Sequence, residues 1–327
     1  MTILVTGGAG YIGSITARLL AERGREVLLA DSLERGHRGA AGSLPLVVAD
    51  VSDRGAMSRL VEAHRVDAVV HFAAYKAAGE SMEQPGMYFR NNVGATAALL
   101  EAIVDAGVER VVFSSSAAVY GTPESLPVTE DAPLQPENPY GESKAIVESM
   151  LAWLGRCRPL RSVSLRYFNA AGAWPDGSLG EDWSLTANLV PVVMQALLGR
   201  RGPLEVFGTD YPTPDGTAVR DYVHVMDLAE AHLAALDYLG AGGEPCVVNL
   251  GTGVGSSVRE VLDAAERASG REVPVVTAPR RPGDPVALYA DNRRAAELLG
   301  WRPRYGLDEI VASAWAWHST HPDGHGD

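Results

Sequence analysis

Thr2-Ile3-Leu4-Val5-Thr6-Gly7-Gly8-Ala9-Gly10-Tyr11-Ile12-Gly13 decides the fold. Thr2 to Thr6 is apolar or β-branched and reads as a buried strand, and Ile12 to Arg23 reads as a helix. Between them the glycines fall at Gly7-x-x-Gly10-x-x-Gly13. Glycines let the backbone turn tightly and approach a pyrophosphate, and the helix that follows offers free N–H groups and partial positive charge. A glycine triplet is a weak signal by itself; a strand before it and a helix after it give it meaning. Glu26 to Ala30 reads as a second strand, closed by Asp31. A carboxylate there accepts a ribose 2′-hydroxyl and repels a 2′-phosphate, which points to NAD rather than NADP. Asp50-Val51 closes a third strand, Leu46 to Ala49. An acid at that place either meets the adenine edge or is a solvated turn residue.

The alternation continues outward. Arg54 to His64, Met87 to Ala106 and Asn138 to Leu154 read as helices. Ala68 to Phe72, Arg110 to Ser114 and Ser162 to Arg166 read as strands. Short connections between strands and helices imply a parallel sheet covered on both faces: an α/β, Rossmann-like, doubly wound parallel sheet. The second half has Pro- and Gly-rich loops at Ala173 to Ser184 and Gly208 to Gly216. Helical patterns recur at Leu189 to Leu198, Met226 to Leu239, Ser257 to Ala268, Arg293 to Leu299 and Leu307 to His318. Strands are expected at Leu204 to Phe207, Cys246 to Leu250 and Val273 to Val276. The organisation expected is a dinucleotide-binding domain over 1–172, read as NAD-binding from Asp31, and a smaller α/β substrate lobe mainly over 173–320. Later segments return to the main sheet, and 321–327 form a frayed tail.

Composition bounds the rest. The 327 residues are 46% hydrophobic and 21% charged, which excludes wholesale disorder. The formal charge of −13 gives no footprint for nucleic acid or anionic membranes and makes each arginine near a phosphate worth locating. No apolar run approaches the ~20 residues of a membrane span. Ile3-Leu4-Val5 follows Met1-Thr2 with no basic region before a long apolar one, against a secretory signal. Cys157 and Cys246 are too few for a disulfide framework and fit a reducing cytoplasm. The histidines show no metal-ligand spacing.

Tyr140-Gly141-Glu142-Ser143-Lys144 opens a helix, with Asn138 as N-cap and Pro139 as first residue. The i, i+4 spacing puts Tyr140 and Lys144 on one face. A free tyrosine has a pKa near 10 and is a poor base at neutral pH; an adjacent ammonium and a positive nicotinamide ring would favour the phenolate. Such a pair is commonplace on helix surfaces. Ser114-Ser115-Ser116 ends a strand, at the sheet edge where ligands sit, and a hydroxyl there can share a proton with Tyr140. Some of these serines could equally cap the next turn.

Together these segments resemble the extended short-chain dehydrogenase/reductase superfamily: the glycine loop, Ser114-Ser115-Ser116-Ala117 with Val119-Tyr120-Gly121, and Tyr140-x-x-x-Lys144. Further stretches resemble its UDP-glucose 4-epimerase-like members. They are Lys76-Ala77-Ala78-Gly79-Glu80-Ser81, Arg166-Tyr167-Phe168-Asn169, Asp215-Gly216-Thr217 with Arg220-Asp221-Tyr222, His224-Val225-Met226-Asp227-Leu228 and Arg280-Arg281-Pro282-Gly283-Asp284. The resemblance runs from about Thr2 to Trp301. It implies a cytoplasmic isomerase with a tightly held NAD and a transient 4-keto sugar. It implies Tyr140 as base, Ser116 as bridge to the sugar 4-oxygen, and Lys144 on the nicotinamide ribose. Carried over by position, the cofactor contacts are Gly7, Gly10, Tyr11, Ile12, Asp31, Asp50, Val51, Phe72, Ala73, Lys76, Asn91, Ser114, Tyr140, Lys144 and Tyr167. The nucleotide-sugar contacts are Lys76, Ser116, Tyr140, Asn169, Asn188, Leu189, Phe207, Arg220, Arg281, Asp284 and, beside the sugar ring, Leu288. Arg220 and Arg281 suit a substrate diphosphate.

Three positions depart from the family pattern. Ile15 replaces a histidine common there, the Ser32 to Pro45 connection is short, and Leu288 is intermediate between a bulky tyrosine and a small residue. Acceptance of an N-acetylated sugar and choice of base stay open. A nucleotide-sugar dehydratase or decarboxylase is the rival enzyme class, but a dehydratase carries an acid pair where this chain has Ser115-Ser116-Ala117. A silent NAD-binding regulator is the other rival, and it would have no need of Ser116, Tyr140 and Lys144 together. The resemblance also implies a homodimer through Met87 to Ala106 and Asn138 to Leu154, whose apolar residues could equally be core.

Overall fold

The computed structural model describes residues 1–183, 188–281 and 285–326. Its centre is a seven-stranded parallel sheet in the order β11-β6-β5-β4-β1-β2-β3. The strands are β1 Thr2–Thr6, β2 Glu26–Asp31, β3 Leu46–Val48, β4 Val66–His71, β5 Arg110–Ser116, β6 Arg161–Tyr167 and, from far along the chain, β11 Cys246–Leu250. Strand order reverses between β1 and β4, and ligands in such sheets bind in the crevice at that point.

Helices cover both faces. α1 Tyr11–Glu22 and α8 Val225–Gly240 pack together on one, burying Ala17 and Leu20 against Leu228, Ala231 and Ala235. α2 Arg54–His64 and α5 Thr96–Asp105 lie on the other with α6 Pro139–Cys157, around Met57, Leu99, Ile103, Phe113, Val147 and Leu151. Local chemistry starts these helices where it should. Asp53 accepts the Ala56 N–H at 2.9 Å, and Asn138 accepts the Gly141 N–H at 2.9 Å with Pro139 behind it.

The expected long helix from Met87 to Ala106 is present, with a π-helical insertion. α3 Ala78–Glu83 and α4 Pro85–Tyr88 lead into a widened π-helical stretch, Phe89–Ala95, which continues as α5. Asn92 accounts for the widening. Its side chain accepts the Tyr75 N–H at 2.9 Å and donates to the Tyr75 carbonyl and the Ser143 hydroxyl at 3.0 Å each. Such side-chain bonds are tertiary, so helical periodicity carries no trace of them.

The smaller lobe holds α7 Leu189–Leu197, α9 Val258–Ser269 and α11 Leu307–Thr320 around their own core, including Val193, Met194, Val261, Ile310 and Val311. β8 Leu204–Phe207 pairs with β13 Val275–Ala278. Short strands that periodicity did not show complete it: β7 Asn169–Ala171 with β10 Tyr222–His224, and β9 Val219–Arg220 between β12 Ser256–Ser257 and β14 Ala287–Leu288. Two- and three-residue strands are too short to alternate. α10 Arg293–Leu299 lies against α8 and β11. The buried Asp221 ties these pieces together, accepting N–H groups from Thr252, Gly253 and Ala290.

His321 to Gly326 is docked rather than frayed. The His321 ring stacks on Trp317 at 3.9 Å, and Asp323 meets Arg200 at 3.2 Å. Tail composition is polar, but the aromatic ring that holds it lies on α11, so the docking was invisible in the tail itself.

Candidate active site

A cavity of about 230 Å³ lies at the C-terminal edge of the sheet, beside the glycine turn. Gly7, with φ +70°, would bring an added Cβ to 2.6 Å from the Ala73 nitrogen, and a Cβ on Gly13 would lie 2.2 Å from the Gly7 carbonyl oxygen. The turn therefore closes on its own backbone and on the end of β4, leaving the start of α1 facing the cavity. We expect Gly13→Ala to lower stability by about 1–3 kcal/mol, as overpacking does, and to empty the cavity of dinucleotide. Urea titration and cofactor content check this; a variant with wild-type values for both would contradict it.

All fifteen expected cofactor contacts line this one cavity, from Gly7, Gly10, Tyr11, Ile12 and Asp31 through Asp50, Val51, Phe72, Ala73, Lys76 and Asn91 to Ser114, Tyr140, Lys144 and Tyr167. Asp31 is 8% exposed and accepts the N–H groups of Ala9 at 3.0 Å and Leu33 at 2.9 Å, which fixes its carboxylate against the turn. Opposite, Arg35 holds Glu80 through two 2.8 Å bonds and lies 3.8 Å over the Tyr75 ring, and Tyr75 donates to Glu34. Arg35, Tyr75 and Glu34 were not read from the sequence, because the side chains meet across forty residues.

At the inner end, the three serines of β5 have three different tasks. Ser114 shares a hydrogen with the Tyr167 hydroxyl. Ser115 donates to Glu148, which is buried and bound to Arg166 at 2.5 Å. Ser116 hydrogen-bonds Tyr140 and also accepts the Ala118 N–H at 3.2 Å, so it is both partner and cap. Lys144 is 4% exposed, donates to the Ser114 carbonyl at 2.8 Å, and lies 5.9 Å from the Tyr140 ring. The Asn92–Ser143–Tyr140 relay braces the start of α6, since Ser143 donates to the Tyr140 carbonyl at 2.7 Å.

The electrostatics correct one expectation. Burial raises the Tyr140 pKa, while the bond from Ser116 opposes the rise. Burial lowers Lys144 to about 7, with Glu148 acting against it. The lysine is thus only partly charged near neutrality, and desolvation outweighs the help it was expected to lend the phenol.

A second cavity, of about 420 Å³, opens in the smaller lobe. Tyr167 lines the first cavity and Asn169, two residues on, lines the second. Asn188, Leu189, Phe207, Arg220 and Arg281 line it too, with Arg281 3.8 Å over the Phe207 ring. Arg201 and Tyr222 also line it and were missed. Leu288 does not reach this wall. It pairs with Arg220 across β14 and β9 and packs against the cluster that includes Ala117, Tyr120 and Phe168. Asp284 lies outside the described residues.

These two cavities can be set beside known proteins. The family model for GDP-mannose 4,6 dehydratase matches residues 4–314. A UDP-glucose 4-epimerase of Azospirillum brasilense is 50% identical over 320 residues, covering 97% of this chain and 92% of that one. The chain belongs to the UDP-glucose 4-epimerase family. Solved epimerases share the fold throughout. The Stenotrophomonas maltophila enzyme, with bound NAD and formylated UDP-arabinopyranose, is 42% identical with a TM-score of 0.96 over 98% of this chain and 99% of that one. The Brucella ovis enzyme, in complex with NAD, is 48% identical with a TM-score of 0.95 over 96% of this chain and 97% of that one. The epimerase resemblance read from the motifs and the doubly wound sheet are both borne out.

Proposed function

We propose that the protein is a cytoplasmic UDP-glucose 4-epimerase, interconverting UDP-galactose and UDP-glucose through a transient 4-keto sugar. The observation that carries this is Tyr140, bonded to Ser116, lining with Lys144 a cavity built on a glycine turn, while a second cavity lined by Arg201, Arg220 and Arg281 begins at Asn169, two residues beyond Tyr167 of the first. The glycine turn, the α1 N-terminus and Asp31 fit NAD, which when bound takes up and returns the C4 hydride. Tyr140 removes the 4-hydroxyl proton as the carbonyl forms and restores it on return. Ser116 holds the 4-oxygen and passes the proton. Lys144 orients the ribose, and only the fraction of it that stays charged near neutrality adds positive charge near the phenol. Arg220 and Arg281 grip the diphosphate, and Asn169, Asn188, Leu189 and Phe207 surround the nucleotide end. With that end anchored, the sugar can turn over while Tyr140 keeps its place, which is what inversion at C4 requires.

A dehydratase would need an acid beside the strand-end hydroxyl. The acid bound to Ser115 is Glu148, already held by Arg166, and Ala117 follows Ser116. Purified protein, given UDP-galactose, UDP-N-acetylgalactosamine or a non-uridine nucleotide glucose without added cofactor, tests the reading. UDP-glucose formation supports it, and the relative rates report which sugars the site admits. No conversion of any sugar, even with NAD added, refutes it.

We also propose a homodimer through the helical stretches Met87 to Ala106 and Asn138 to Leu154. Trp153 is 61% exposed, and Ile146 and Met150 are half-exposed on the same helix. A surface of this kind is normally covered. Light scattering at micromolar concentration should give twice the 34.6 kDa chain mass; that of a single chain would remove the dimer.

A further inference from the structure

Four residues that no motif marked line the outer wall of the dinucleotide cavity: His37, Glu181, Asp182 and His325. They come from three distant segments, the loop after β2, the loop after β7 and the chain's last residues. Trp317, 1% exposed on α11, gathers two of these segments. Its indole N–H donates to the Glu181 carbonyl at 2.9 Å, and the rings of His321 and His325 lie 3.9 and 4.9 Å from it. Gly180 passes so close that an added Cβ would sit 2.4 Å from the Trp317 ring. The His325 Nε2 lies 3.2 Å from the Gly180 carbonyl, and the two loops and the tail therefore form one packed unit.

That unit faces the glycine turn. The His37 N–H donates to the Ala9 carbonyl at 2.9 Å, within the turn itself. The His37 ring lies 5.5 Å from the His325 ring, and its Nε2 is 3.5 Å from the Asp182 carboxylate. Lys76 meets Glu181 at 2.6 Å across the same opening. The cavity is rich in acids, with Asp31, Glu34, Asp50, Glu181 and Asp182 along its walls. A diphosphate placed there needs donors, and the α1 N-terminus supplies them from one side only. His37 and His325 stand in the facing wall, their Nε2 atoms against the Asp182 carboxylate and the Gly180 carbonyl.

We infer that His321 to Gly326 is a strap that completes the dinucleotide cavity, and that His325, together with His37, is a cofactor-retaining residue. This rests on the reading of that cavity as the NAD site. The physical role is kinetic: a ligand walled on its outer side leaves only when the wall moves, so the strap governs release more than capture. The glycine turn then sets where NAD binds, and the strap sets how long it stays.

Two proteins test this, a chain ending at Thr320 and the full chain with His325→Ala. Each is purified as wild type is, and bound NAD is measured before and after gel filtration. Release is followed with an NAD-consuming enzyme as trap. The shortened chain should release NAD at least about tenfold faster, equivalent to ~1.4 kcal/mol, and its activity should come to depend on added NAD. His325→Ala should release it about threefold faster. Wild-type release in both proteins overturns the strap. Should the shortened chain fail to fold, His325→Ala decides alone, with unchanged release counting against the proposal. A wild-type protein that carries no NAD and gains none on addition sinks the NAD reading instead.

Discussion

Tyr140→Phe should slow epimerisation at least about a thousandfold, within the range that general acid–base groups contribute, while the protein keeps its fold and its NAD. The phenol ring lines the cavity, and phenylalanine preserves it. What goes is the one hydroxyl that hydrogen-bonds Ser116 and can carry the 4-hydroxyl proton. Steady-state product formation and the NAD content of the same preparation check both halves. More than a tenth of wild-type turnover would remove Tyr140 as base; loss of NAD along with activity would make it a cofactor-binding residue instead. Burial raises the Tyr140 pKa, so the free protein holds the neutral phenol through neutral pH. Rising pH should therefore speed the first proton transfer, until loss of charge on Lys144, near pH 7, weakens its contribution.

Acid should unfold the protein steeply. Burial lowers His71 to about 3 and His224, His232 and His318 to about 4, so all four are neutral in the fold. His71 shows the arrangement most fully. Thr96 gives its hydrogen to the Asn92 carbonyl, so His71 Nε2 donates to Thr96 at 2.8 Å and its Nδ1 accepts from Thr6 at 2.7 Å. A second proton, on Nδ1, would force the Thr6 hydroxyl to turn and accept instead, and would place a full charge in a buried site. In the unfolded chain these histidines take protons near pH 6.5. The unfolded state therefore binds more protons between about 6.5 and 4, and stability rises with pH across that window. It is complete above the window and lost as pH falls through it, by up to ~1.4 kcal/mol per pH unit for each histidine. Urea midpoints at pH 8 and pH 5 measure this. Equal midpoints would mean that the four rings are protonated in the fold.

Where residues acting together are also near in sequence, they were legible from the chain. The glycine turn, the N-capped Tyr140-x-x-x-Lys144 helix start and the β5 serines each sit within one local element. Their geometry is fixed by the turn, the cap and the helical repeat, which follow from residue type and spacing. The seven parallel strands were legible in the same way, six from alternation and the seventh, β11, as an apolar run whose partner was unknown. Asn92 was not legible. It looks like any polar residue on a helix, and its bonds to Tyr75 and Ser143 exist only because two other elements are brought to it.

The sequence by itself therefore determined the fold class, the dinucleotide turn and the shared helix face of Tyr140 and Lys144, because each is written in short-range spacing, whereas Ser116, on β5, joined them only through the family resemblance. Tertiary structure alone decided the outer wall. His37, Glu181 and His325 are separated by more than a hundred residues from one another, and nothing local in any of them announces a shared cavity. It also decided the electrostatics of the trio. Spacing places Lys144 beside Tyr140, but burial, which depends on everything packed around them, sets whether either is charged.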